Sequence, residues 1–159
     1  MVLQENLGLS ITEAAQRREL FLKNTVSSME KFAQGGGEVP AIVRRSGRAS
    51  ESHIKEARNE IAYFLGLAYV RGTIIEKNEA QSVQWFLNSA KLSHQPSQVM
   101  AGRAYFYGRG VAVDQKEGLQ WLDKAAAAGS TVAKDELTQI EKTLSAEDLG
   151  KLRASSTPQ

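Results

Sequence analysis

With 159 residues, 42% of them hydrophobic and 24% charged, the chain is long enough for one hydrophobic core and too short for a comfortable pair of domains. Its 20 basic and 18 acidic side chains leave a formal charge of +2, too narrow an excess to imply a nucleic-acid partner. The absence of cysteine excludes disulfides, thiolate metal sites and cysteine catalysis together.

Residues 1–9 read as an N-terminal tail. Met1-Val2-Leu3-Gln4-Glu5-Asn6 is not a basic region leading into an apolar run, and no stretch approaches the ~20 apolar residues of a membrane span. The expected compartment is the cytoplasm, with the periplasm as the alternative for a chain whose export signal has been removed. Residues 10–34 read as an amphipathic helix from Ser10 to Ala33. Ser10 and Glu13 have capping-box spacing, and Ile11, Ala15, Leu22, Val26, Met29 and Ala33 form the apolar stripe.

Gly35-Gly36-Gly37 ends that helix, and residues 35–50 form an irregular Gly/Arg-rich loop carrying Pro40, Arg44, Arg45, Gly47 and Arg48. Arg44, Arg45 and Arg48, with Lys55 and Arg58 downstream, make the chain's one basic cluster. It lacks the interleaved aromatics on which bases stack, so a solvated loop is the first reading, an acidic protein partner the second and nucleic acid the third. Ser50 or Ser52 is placed to cap the next helix.

From here the chain repeats itself. An offset of 36 pairs Gly66 with Gly102, Ala68 with Ala104, Tyr69 with Tyr105, Gly72 with Gly108, Gln84 with Gln120, Trp85 with Trp121 and Ala90 with Ala126, without a gap. Both tryptophans of the chain fall in register. In the second copy Ala101, Ala104, Tyr105 and Gly108 recur at helical spacing, and after a turn Gly118, Trp121, Leu122, Ala125, Ala126 and Gly129 do the same. Each copy is therefore predicted to be helix, turn, helix. Gly72 and Gly108 stop the first helices, and Asn78 and Asp114 cap the second ones. Gly66 and Gly102 in mid-helix cost roughly 1 kcal/mol each relative to Ala, which points to helices that must approach closely there. Trp85, Trp121, Tyr69 and Tyr105 are read as packing between helices.

These residues resemble the Sel-like repeats (SLR), relatives of the tetratricopeptide repeats. The second copy matches in Ala101-Gly102, Tyr105, Gly108, Gly110-Val111, Asp114, Trp121-Leu122, Lys124-Ala125-Ala126 and Gly129. The first keeps Leu65-Gly66, Tyr69, Gly72, Trp85-Phe86 and Ala90, but has Ile74, Ser82, Asn88, Ser89 and Ser93 at motif positions. The resemblance covers residues 60 to 137. It implies an all-α fold, a short α/α superhelical stack of helix pairs with extra helices at both ends, whose first helices line a concave surface. It also implies a role in binding proteins, as adaptor, scaffold or regulatory subunit.

Residues 51–153 are assigned to this repeat domain. After Gly129, Ala133, Leu137, Ile140 and Leu144 continue an amphipathic helix without the Gly and Tyr signature, the pattern of a cap over the last apolar face. Ser145 with Asp148 forms a capping box, Leu144 and Leu149 a hydrophobic staple, and a final helix runs to about Arg153 before a tail over 154–159.

The first helices carry apolar residues on the face opposite the motif as well. Tyr63, Leu67 and Val70 in the first copy correspond to Val99, Arg103 and Phe106 in the second. Either the N-terminal helix covers this groove, or a partner's helix or segment docks there, with Arg71, Arg103 and Tyr107 as polar contacts. Partner binding is thus expected at Tyr63, Leu67, Val70, Arg71, Val99, Arg103, Phe106 and Tyr107.

No catalytic constellation, cofactor motif or metal site is found. His53 and His94 have no metal-ligand spacing and read as solvated surface histidines, and the carboxylate pairs Glu13/Glu19, Glu56/Glu60 and Glu76/Glu79 read as helix surface. The expectation is a non-enzymatic module whose partner is another protein or a second copy of itself. A small inhibitor or immunity-type protein acting on a toxic enzyme is the alternative, and nucleic-acid binding through Arg44, Arg45 and Arg48 the alternative of another class.

Overall fold

The computed structural model describes residues 11–38, 50–73 and 75–154. Among these residues lie seven helices and no strand: α1 (Ile11–Ala33), α2 (Glu51–Arg71), α3 (Glu79–Ala90), α4 (Gln95–Tyr107), α5 (Gln115–Ala127), α6 (Thr131–Thr143) and α7 (Ala146–Ala154). From α2 to α6 each helix packs on the next, while α1 lies against α2 and α7 against α5. The fold is the expected all-α stack of helix pairs.

The helix ends sit where their capping residues place them. Ser50 is extended and its hydroxyl accepts from the His53 backbone N–H, starting α2. Gly72 and Gly108 adopt φ of 65° and 69°, and their N–H groups bond the carbonyls of Ala68 and Ala104. The left-handed turn that ends α2 and α4 is open to glycine at no steric penalty. Asn78 accepts from Gln81 N at 2.9 Å and Asp114 from Glu117 N at 3.0 Å. The same two capping residues also donate their own N–H groups to the carbonyls of Tyr69 and Tyr105, at 3.0 and 2.9 Å. Each inter-helix turn is thereby tied back onto the aromatic of its own first helix, one reason the spacing from Tyr to cap is equal in the two copies. Ser145 and Asp148 form the predicted capping box at the start of α7. The capping box at Ser10 lies outside the described residues.

Packing follows the motif. A Cβ at Gly66 would stand 2.5 Å from Phe86 Cε1, and one at Gly102 would stand 2.7 Å from Leu122 Cγ. Both glycines thus admit the following helix at a distance no side chain allows. Gly118 answers from the other side, where a Cβ would meet Phe106 N at 2.7 Å and the Gly102 carbonyl at 2.9 Å. Trp85 is buried with Ala62 and Leu65, and Trp121 with Val83, Leu87, Ala90, Ala101 and Ala104. A third cluster joins Val99 and Phe106 to Leu119, Leu122, Ala125, Ala133, Leu137 and Ile140, with Leu144, Leu149 and Leu152 around it. Here α6 and α7 cover the last apolar face.

The N-terminal helix docks on the motif side of α2. Val26 and Ala33 pack on Ala62, Leu65 and Trp85, beside Ile61 and Tyr69. Phe32 is fully buried beneath the Arg58 guanidinium, whose Nη2 donates to the Gly35 carbonyl at 3.3 Å.

Candidate functional site

The eight residues expected to form one groove are divided by the fold into two groups. Val99 and Phe106, 4% and 7% exposed, are inside the α4–α5–α6 core and present nothing to a partner. Their apolar face is covered by α6, a helix of the chain itself. Arg103 is tied to the same helix: its Nε and Nη2 donate to Glu136 Oε2 at 2.9 and 2.5 Å, and Tyr107 Oη donates to Glu136 Oε1 at 3.0 Å. Burial by itself would raise the Glu136 carboxyl, but these hydrogen bonds and the charges of Arg103 and Arg109 outweigh it and hold the group below its ordinary value.

The first-copy residues stay accessible. Tyr63 is half-buried, its ring 5.9 Å from that of Phe86 and 5.2 Å from that of His94. Leu67 and Arg71 line a cleft of about 510 Å³ between α1 and α2, whose walls include Leu22, Val26, Met29 and Phe64. Val70 and Arg103 line a second opening of about 320 Å³ between α2, α3 and α4, floored by Val83, Phe86, Met100 and Ala104 and edged by Glu79 and Arg109. The two openings flank the last turns of α2, because Leu67, Ala68 and Arg71 point to one side of the helix and Val70 to the other. α1 therefore walls one side of the groove without filling it, leaving Phe64 61% exposed at the rim.

Phe64, Met100 and Arg109 belong to this surface and were not singled out from sequence, while Leu22 and Met29, read from sequence only as the apolar stripe of the N-terminal helix, also line it. For Phe64 a signal was present, since it follows Tyr63 in a helix that is apolar nearly all round. Arg109 lies in a turn between two glycines, and only the approach of that turn to α3 brings it to the opening. Arg44, Arg45 and Arg48 lie outside the described residues.

His94 differs from its expectation as a solvated histidine. It is half-buried, with Nδ1 2.8 Å from Ser97 Oγ and Nε2 3.2 Å from Glu60 Oε1. Packing of α4 against α2 brings this side chain 34 positions along the chain to Glu60, a meeting no local pattern reveals. Ser97 is fully buried, so this Ser, His, Glu array offers no nucleophile to a substrate and works as an inter-helix tie. Burial raises the Asp123 carboxyl while Arg153 opposes it, and this residue lines neither opening. Among the described residues no three His, Cys, Asp or Glu side chains group as metal ligands, and no helix is long and apolar enough to cross a membrane.

Known proteins share this architecture. A Sel1 repeat protein from Oxalobacter formigenes is 24% identical with a TM-score of 0.51, over 80% of this chain and 36% of that one. A protective antigen of uropathogenic Escherichia coli that displays an SLR fold is 22% identical with a TM-score of 0.54, over 89% of this chain and 37% of its own. The chain thus spans little more than a third of either bacterial protein, and at these identities the likeness is one of fold. No curated protein sequence matches the chain. Sel1 repeat proteins are in general protein-interaction modules. Residues 60–94 and 95–130 each match the Sel1 repeat family, so the chain carries two Sel1 repeats, the first formed by the C-terminal part of α2 with α3 and the second by α4 with α5.

Proposed function

We propose that this chain is a non-enzymatic interaction module that holds a helix or short segment of a partner protein against the last turns of α2. The observation that carries this reading is the exposure of Phe64 on an apolar cleft shared with half-buried Leu67, next to a second opening edged by Val70, both left uncovered by the described helices. Large aromatics on a half-open apolar cleft are the usual anchors of helix-in-groove recognition. Two repeats and one flanking helix make a short groove, suited to a single segment and not to a whole domain. Of the eight residues expected from sequence, Tyr63, Leu67, Val70, Arg71, Arg103 and Tyr107 remain in the proposal. Val99 and Phe106 serve it indirectly by seating α4.

The reading is tested with the full chain as bait, first against a cell lysate with mass spectrometry to identify the partner, then against the purified partner. Leu67→Asp and Phe64→Asp variants that keep wild-type helicity are expected to lose binding. Undiminished binding by both would overturn the groove as the site, and sedimentation of the free chain as a dimer sensitive to the same changes would make a second copy the partner.

A further inference from the structure

On the reading that a protein segment docks at α2, we infer that this segment is an acidic amphipathic one, setting apolar side chains into the two openings and a carboxylate against each of Arg71 and Arg109. Among the lining residues, three cations and one carboxylate edge the openings: Arg71 on one, and Arg103, Arg109 and Glu79 on the other. Lys77 Nζ lies 2.7 Å from Glu79 Oε1, and Arg103 Nη2 lies 2.5 Å from Glu136 Oε2. Those two pairs cancel, and Arg71 and Arg109 are left over. Neither has a carboxylate within ion-pair distance among the described residues, although the charge of Arg109 is felt by Glu79 and Glu136, both already paired.

The leftover cations are distributed one to each opening. Arg71 edges the cleft lined by Leu22, Val26, Met29, Phe64 and Leu67. Arg109 edges the pocket lined by Val70, Val83, Phe86 and Met100. Its guanidinium rests over the Tyr107 ring, 5.6 Å from the centroid, which keeps the side chain at the rim of the pocket. Each opening thus combines an apolar lining with one guanidinium that no described carboxylate pairs directly, which a neighbouring pair of one apolar and one carboxylate side chain would satisfy. Both openings adjoin the last turns of α2, and the inferred segment crosses that helix end to reach both.

A basic segment would bring like charge onto Arg71 and Arg109, and a purely apolar one would strip water from two cations without replacing it. A nucleic-acid strand supplies the anions and leaves the apolar linings exposed, and two isolated cations neutralise too few phosphates to hold it.

The test uses two fluorescein-labelled, end-blocked helical peptides with one apolar stripe in common, flanked in one by Glu and in the other by Lys, titrated with the full chain by fluorescence anisotropy. The Glu peptide is expected to bind about tenfold more tightly than the Lys peptide. Arg71→Glu and Arg109→Glu should each weaken the Glu peptide about fivefold and strengthen the Lys peptide, whereas Arg71→Lys should leave the preference intact. Equal binding of the two peptides would overturn this inference and leave the groove reading standing. Binding of neither would overturn both. Displacement of the Glu peptide by a single-stranded oligonucleotide would overturn the protein segment as occupant.

Discussion

Tyr69 on α2 donates its phenolic hydrogen to Oε1 of Glu30 on α1 across 2.7 Å. One residue thus holds the first repeat to its inter-helix turn by its backbone carbonyl and to the N-terminal helix by its side-chain hydroxyl.

Tyr69 carries a signature in alkali. Burial, then the hydrogen bond and charge of Glu30, push its phenol up to about 12. The folded state therefore keeps a proton that the unfolded state gives up near pH 10. Stability from this contact is complete below pH 10 and falls as the pH rises from 10 to 12. Burial and Glu136 raise Tyr107 as well, so absorbance titration should show a late-ionising tyrosine component from which Tyr69→Phe removes one residue's contribution. The variant should also lose about 1 kcal/mol at neutral pH by chemical denaturation. A tyrosine titration identical in wild type and variant would refute the assignment.

Glu136 behaves in the opposite sense. Its folded value lies below the ordinary one of 4.5, so its contribution is present at neutral pH and fades as the pH falls through the folded value. Glu136→Gln should cost about 1–2 kcal/mol at pH 7 through the loss of charge-assisted bonds to Arg103 and Tyr107. The gap between variant and wild type should narrow in acid denaturation series. A gap that stayed constant from pH 7 to pH 3 would show that the carboxylate charge does not act there.

The helix-interior glycines should divide by contact. Gly118→Ala sets a methyl 2.7 Å from the Phe106 backbone nitrogen and should cost about 1–3 kcal/mol from overpacking, despite the better helix propensity of Ala. Gly150→Ala meets nothing within 4 Å and should be neutral or gain up to about 1 kcal/mol. Thermal melts of both variants check the contrast, and a Gly118→Ala protein as stable as wild type would show that α4 and α5 are less closely packed than described.

Two phenylalanines should separate stability from binding. Phe106→Ala removes a ring buried among Leu119, Leu122, Leu137 and Ile140, and should cost about 3–5 kcal/mol. Phe64→Ala removes a ring that is 61% exposed, and should leave the unfolding midpoint nearly unchanged while weakening partner capture. If Phe64→Ala destabilised the fold as much as Phe106→Ala, the ring would be part of the core and not of the binding surface.

What the amino-acid order determined by itself was the repeat. Glycines at 66, 72, 102 and 108, the two Tyr, the two Trp and the Asn and Asp caps act within one helix pair or on the next helix, so short-range spacing carries them into the correct fold. What only the tertiary structure decided was which apolar face stays open. Val70 and Phe106 are exact repeat equivalents, at an offset of 36, yet one edges a pocket and the other is buried. The difference comes from the helix that follows each copy: α6 sets Leu137 and Ile140 against Phe106, whereas α4, its equivalent at the same offset, has only Ala101 and Ala104 at those positions beside Val70. α1, whose stripe was legible as a helix face, was free to cover either side of α2 until packing on Ala62, Leu65 and Tyr69 placed it on the motif side. A sequence pattern records that a side chain is apolar; whether it meets its own chain or solvent depends on contacts between residues far apart in sequence.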